Sequence, residues 1–199
     1  PRVRRQRQMC IRDSLKVAAA VPHVRIADCD YNAQHITELI RKGADRGASI
    51  ILFPELCITS YTCGDLIQQP ALLHAAEQAL GYILAQTREL PIVAIVGMPV
   101  TYGNALYNCA VVFAQGRIHG VVPKTYIPNY SEFYEARHFT AAPVGCTSVT
   151  WQDGTTVPFG TDLLFTCKTM PGLKVAAEIC EDLWTPNPPS VCHAMHGAT

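Results

Sequence analysis

The sequence predicts an α/β protein built on a mixed sheet, and three observations predict it. Apolar runs alternate with amphipathic stretches through the first half of the chain, the pattern of parallel strands linked by helices. In the second half, apolar runs follow one another across Gly-containing turns, the pattern of antiparallel pairs. Neither G-x-G-x-x-G nor G-x-x-x-x-G-K-[ST] occurs, which argues against a doubly wound nucleotide-binding fold.

Leu15–Val21 (LKVAAAV) reads as a short buried strand. Asp28 and Asp30 then offer N-cap oxygens to a helix whose Ile36, Leu39, Ile40 and Ala44 share one face, with Gly47 as its C-terminal stop. Ser49–Phe53 is a second buried strand, stopped by Pro54. A second helix is expected near Ala71–Arg88, with Leu72, Ala75, Ala76, Ala79 and Ile83 on its apolar face. Ile92–Val100 is a third strand. LYNCAVVFAQ and RIHGVVPK form two strands around a tight turn at Gln115–Gly116. Thr125–Gly145 is an aromatic-rich loop without period. Gln152–Gly154 suggests another hairpin, and LLFTC and LKVAAEIC are strands about a Pro171–Gly172 turn. No repeats and no linker appear, so one domain is expected over residues 15–199.

Composition excludes several roles. With 199 residues, 49% hydrophobic and 16% charged, the chain is too apolar for disorder. Lys+Arg and Asp+Glu balance at 16 each, which disfavours nucleic acid as a partner. No apolar run approaches the roughly 18 residues of a membrane span, so no membrane partner is expected. Nine cysteines lack any C-x-x-C pair or zinc spacing, which points to reduced, mostly buried thiols and a cytoplasmic protein with no metal site. Residues 1–14 begin with a basic PRVRRQRQ but lack the apolar core of a secretory signal. They are expected to be a non-native or disordered tail.

Three strands end abruptly in a reactive residue: SIILFP in Glu55, IHGVVP in Lys124, LKVAAEI in Cys180. Ligands gather beyond the carboxyl ends of strands in open α/β sheets, so a base, a cation and a nucleophile can converge there. Singly, each has an ordinary explanation as a solvated charge or a buried thiol. Their flanks are less ordinary. LFPELCITSY, PKTYIPNYSEFYEARHF and EICEDLWTPNPPS, in that order, resemble the nitrilase, or carbon–nitrogen hydrolase, superfamily, and within it the glutaminase domains of glutamine-dependent NAD synthetases.

The resemblance implies a nitrilase-like α-β-β-α sandwich that is incomplete at the C-terminus, because the family's sheet continues past Thr199. It implies catalysis by Glu55, Lys124 and Cys180, with Glu132 orienting the lysine and the substrate. Tyr61, Tyr130 and Phe133 are expected in a glutamine pocket, although plain loop packing also accounts for the aromatic residues of that loop. Glu181 is expected to take the substrate's α-ammonium, and its backbone N–H to face the oxyanion. Glu135 and Arg137 are expected to pair with each other and shape the loop. The seven histidines share no pattern, and Cys192–His193 makes a poor metal site by itself.

The activity implied is release of ammonia from glutamine through a cysteine thioester, with no cofactor for that half-reaction. In the family, ammonia passes to a C-terminal synthetase domain that uses ATP and Mg to amidate nicotinic acid adenine dinucleotide. No S-G-G-x-[DS]-S loop of such a domain occurs here. That domain is the expected partner, and a homo-oligomer is expected by analogy. The alternatives are a nitrilase-type amidase for a different amide, or an inactive truncated fragment.

Overall fold

The computed structural model describes residues 15–151 and 153–199. The expected tail at residues 1–14 lies outside them, as does Gln152 of the second expected hairpin.

A seven-stranded mixed sheet forms the centre, in the order β1-β2-β3-β4-β5-β7-β6. β1 (Val17–Ala19), β2 (Ile50–Leu52) and β3 (Val93–Tyr102) run parallel; β3, β4 (Ala105–Ala114) and β5 (Arg117–Pro123) are antiparallel neighbours. β7 (Thr156–Phe159) joins β5 in parallel and pairs with β6 (Thr147–Thr150) antiparallel. The parallel strands are linked by α1 (Cys29–Asp45) and α2 (Pro70–Thr87), as the alternating pattern requires. Both helices start where the sequence places them. Asp28 Oδ1 accepts from the Tyr31 N–H at α1, and Pro70 opens α2, where its missing N–H costs nothing. Gln115 and Gly116 both take positive φ, the geometry that turns a two-residue hairpin between β4 and β5.

One sheet face packs on the helices. Ile36, Ile40, Ala76, Leu80 and Ile83 meet Ile51, Val96, Met98, Val111 and Phe113 there in one buried cluster. The opposite face is partly covered by the small sheet of β8 (Phe165–Thr166) and β9 (Lys174–Val175), and Val17 and Leu52 remain exposed. Helix, sheet and second sheet stack in the order of a nitrilase-like sandwich, and a short α3 (Pro189–Met195) closes the described chain.

Several expected strands are shorter than predicted, including Leu15–Val21 and LLFTC, and the difference matters most at the last. LKVAAEIC pairs only at Lys174–Val175, and residues 176–179 make no ladder. Cys180 therefore starts a 3₁₀ turn, Cys180–Trp184, rather than ending a strand. An apolar run marks burial, but a strand also needs a neighbour for its N–H and C=O groups, which a sequence pattern does not display.

Candidate active site

Glu55 leaves β2 immediately after Pro54, on a tight turn whose next residue, Leu56, takes φ 50°. The turn lies directly against β3. A Cβ placed on Gly97 would come within 2.3 Å of the Leu56 backbone nitrogen and 2.9 Å of the Glu55 Cα. Only glycine lets the strand approach the Glu55 turn so closely.

Lys124 follows β5 and is fully buried. Its backbone N–H donates to the Asn108 carbonyl, which fixes the strand end. Its Nζ lies 2.8 Å from Glu55 Oε1, 2.8 Å from Glu135 Oε1 and 2.9 Å from Glu135 Oε2. An ammonium has three N–H donors, and these three contacts use them. Burial works against the charge, but the two carboxylates outweigh it and hold the ammonium above the ordinary lysine value.

Cys180 sits opposite, with φ 49°, a left-handed conformation uncommon outside glycine and often found at functional sites. Glu55, Asn108 and Cys180 line one cavity of about 490 Å³, floored by the half-covered sheet face. The thiol is raised above the ordinary cysteine value, chiefly by desolvation, then by Glu55, with Lys124 opposing and Glu135 adding to the rise. One lysine against two carboxylates leaves the cluster net negative, so it does not hold a preformed thiolate. The geometry suits a protonated thiol that passes its proton to a base as it attacks. The Glu181 backbone N–H favours the ionised thiol and so opposes the rise together with Lys124.

The turn carrying Cys180 is tied to the segment after Lys124 by Asp182, a buried carboxylate that sequence reasoning missed. Its Oδ1 accepts from the N–H groups of Thr125 at 3.0 Å and Tyr126 at 2.7 Å, and its Oδ2 from Ile179 at 3.0 Å. One carboxylate thus holds nucleophile and lysine segments in register.

Two expectations for the loop are corrected. The carboxylate on Lys124 is Glu135, not Glu132. Glu132 is exposed and bonds to its own N–H and to the Ser131 side chain, which lowers it below the usual carboxylate value. A 3₁₀ turn over Glu135–Arg137 carries Glu135 inward to 4% exposure. Nor do Glu135 and Arg137 pair. Arg137 forms a two-point bridge to Asp65, Nε to Oδ1 at 2.7 Å and Nη2 to Oδ2 at 2.9 Å.

The expected pocket residues gather around this centre. The Tyr61 hydroxyl donates to Glu135 Oε1 at 2.8 Å, and the Tyr130 hydroxyl to Glu181 Oε2 at 2.9 Å. Phe133 meets the Tyr130 ring edge-on at 5.8 Å and, with Tyr61 and Glu132, lines a second cavity of about 260 Å³. Tyr130 is exposed and Glu181 half-buried, so both can reach a ligand. The buried His193 holds the Thr161 carbonyl at 2.7 Å. Among the described residues, no group of three or more His, Cys, Asp or Glu side chains could hold a metal ion.

Comparison with known proteins gives the chain a family. The profile of the family described as Carbon-nitrogen hydrolase matches residues 16–199. The chain belongs to the carbon–nitrogen hydrolase family. Curated relatives of this carbon–nitrogen hydrolase include the glutamine-dependent NAD(+) synthetase of Mycobacterium bovis, 40% identical over 93% of the chain, and that of Bos taurus, 35% identical over 85%. The chain spans about a quarter of their length, 27% and 25%. A solved glutamine-dependent NAD(+) synthetase from Cytophaga hutchinsonii superposes with a TM-score of 0.80 at 28% identity, covering 93% of this chain and 29% of that one. An amidase from Nesterenkonia sp. shares the fold alone, with a TM-score of 0.68 at 17% identity over 93% of this chain and 62% of its own. The carbon–nitrogen hydrolase fold thus accounts for the whole described chain.

Proposed function

We propose that this chain is the glutamine-hydrolysing part of a glutamine-dependent NAD synthetase. The observation that carries the reading is the cavity shared by Glu55 and Cys180, with Lys124 locked behind Glu55. Glu55 takes the thiol proton as the Cys180 sulfur bonds to the side-chain amide carbon of glutamine, and the carbonyl electron pair moves to oxygen. The Glu181 N–H and the positive field of Lys124 meet that oxyanion. On collapse the C–N bond breaks, Glu55 returns the proton, and ammonia leaves a glutamyl thioester. Water then attacks with Glu55 again as base, the C–S bond breaks, and glutamate departs as the thiol is reprotonated.

Substrate choice rests on the acidic mouth of the site. Glu181, held by the Tyr130 hydroxyl, suits an α-ammonium that a plain aliphatic amide lacks. In this reading ammonia passes to a synthetase domain that amidates nicotinic acid adenine dinucleotide with ATP and Mg, in the cytoplasm. No helix among the described residues is long and apolar enough to cross a membrane. Steady-state assays with glutamine, asparagine and short aliphatic amides test the proposal. Glutamine is expected to be the preferred substrate, with turnover abolished by Cys180→Ala. Comparable turnover of an aliphatic amide with none of glutamine would overturn it.

A further inference from the structure

We propose that Asn108 is a positioning residue that fixes which oxygen of Glu55 moves the proton. Asn108 lies on β4, 1% exposed, in a strand whose other buried side chains are apolar or aromatic. Its Nδ2 donates to Glu55 Oε1, the same oxygen that receives Lys124 Nζ. Two donors on one carboxylate oxygen stop the group from rotating. Among the described residues no donor reaches Oε2, which leaves it as the proton-accepting atom. When Oε2 takes the thiol proton, Oε1 becomes a carbonyl oxygen and still accepts both donors. The proton therefore returns from the atom that received it, with no rearrangement between the two half-steps.

The other end of the amide supports this assignment. Among the described residues, Asn108 Oδ1 is buried and has no hydrogen-bond partner. A buried amide retained only for the fold is normally paired at both ends. Flipping the amide would turn its oxygen toward the Glu55 carboxylate, so ionised Glu55 sets its orientation. The main-chain link from the Asn108 carbonyl to the Lys124 N–H survives any substitution, so side-chain loss can be tested with the strand in place.

The inference deepens the proposed glutamine hydrolysis and rests on that reading for Glu55's role as base. Its test therefore includes a substrate-free arm. In the full-length protein that carries this chain, Asn108→Leu keeps the side-chain size and removes the donor, while Asn108→Asp turns the donor into an acceptor. Losing a hydrogen bond to the charged form favours the neutral acid, so the acid limb of the kcat/KM profile moves to higher pH. We expect kcat to fall by about tenfold or more, the scale of impaired general-base catalysis, with KM within about threefold. The carboxyl ¹³C titration of Glu55, assigned by its loss in Glu55→Gln, moves upward in both variants, and further for Asn108→Asp. An unchanged titration midpoint in either folded variant overturns the inference, whatever happens to turnover. If the parent protein does not turn over glutamine but the midpoint still moves, the positioning stands and the substrate reading falls.

Discussion

Lys124 gives up all three ammonium donors to Glu55 and Glu135, and this decides how the neighbouring thiol behaves. Desolvation first, then Glu55 and Glu135 against the opposing Lys124, hold the Cys180 thiol above the ordinary cysteine value. Its alkylation by iodoacetamide should reach half-maximal rate at a pH above the ordinary 9.0 of a cysteine thiol. Glu135→Gln removes one negative charge, so the midpoint should move to lower pH, measured by mass-spectrometric labelling across pH. The same variant frees one side of the lysine, and we expect turnover to drop by about tenfold or more in steady-state assays. Glu55, Lys124 and Cys180 stand out in the sequence because each follows an apolar run. Glu135 does not. It lies three residues from Glu132 in a loop without period, and only the 3₁₀ turn decides which carboxylate points inward. Asn108 was also missed, although a lone amide inside YNCAVVF breaks an otherwise apolar strand, a signal that asks for a buried partner.

Strands and helices were readable wherever burial has a clear period. α1, α2 and the β3–β5 meander appear within a few residues of their expected bounds because periodicity and turn residues agree. The approach of β3 to the Glu55 turn was not readable, since Gly97 looks like any glycine inside a strand. Gly97→Ala brings a methyl group against the Leu56 nitrogen and the Glu55 backbone. Overpacking of this kind costs about 1–3 kcal/mol, to be read from urea unfolding midpoints. Activity should fall further than the stability loss accounts for, because the displaced backbone carries the Glu55 carboxylate, the proposed base. At the facing element, Asp182→Ala removes the acceptor for the Thr125, Tyr126 and Ile179 N–H groups. A thermal melt should show a loss of about 1–3 kcal/mol from the orphaned donors, and glutamine turnover should drop with it.

Across the described chain, all eight cysteines are free, and several sit deep in the core. Burial pushes Cys57 up to about 12 from its ordinary 9.0, and Cys29 similarly. In the unfolded chain these thiols ionise near 9, so above that pH the unfolded state binds fewer protons than the folded one. Stability should therefore hold below pH 9 and fall as pH rises from there toward 12. Cys57 alone contributes about 1.4 kcal/mol per pH unit. Urea midpoints between pH 8 and 11 check this, with Cys57→Val flattening the slope. The sandwich order was foreseen from family resemblance rather than from periodicity, because layer stacking depends on contacts between distant segments. Those distances also bear on how the site assembles. The Lys124–Glu55 pair closes a span of 69 residues, and Asp182 reaches Thr125 across 57. Contacts of such separation carry a larger loop-closure entropy cost than local pairings. Before those spans close, Cys180 lacks the surroundings that raise it, so its alkylation rate followed during refolding should report the docking of the Glu55 and Lys124 segments.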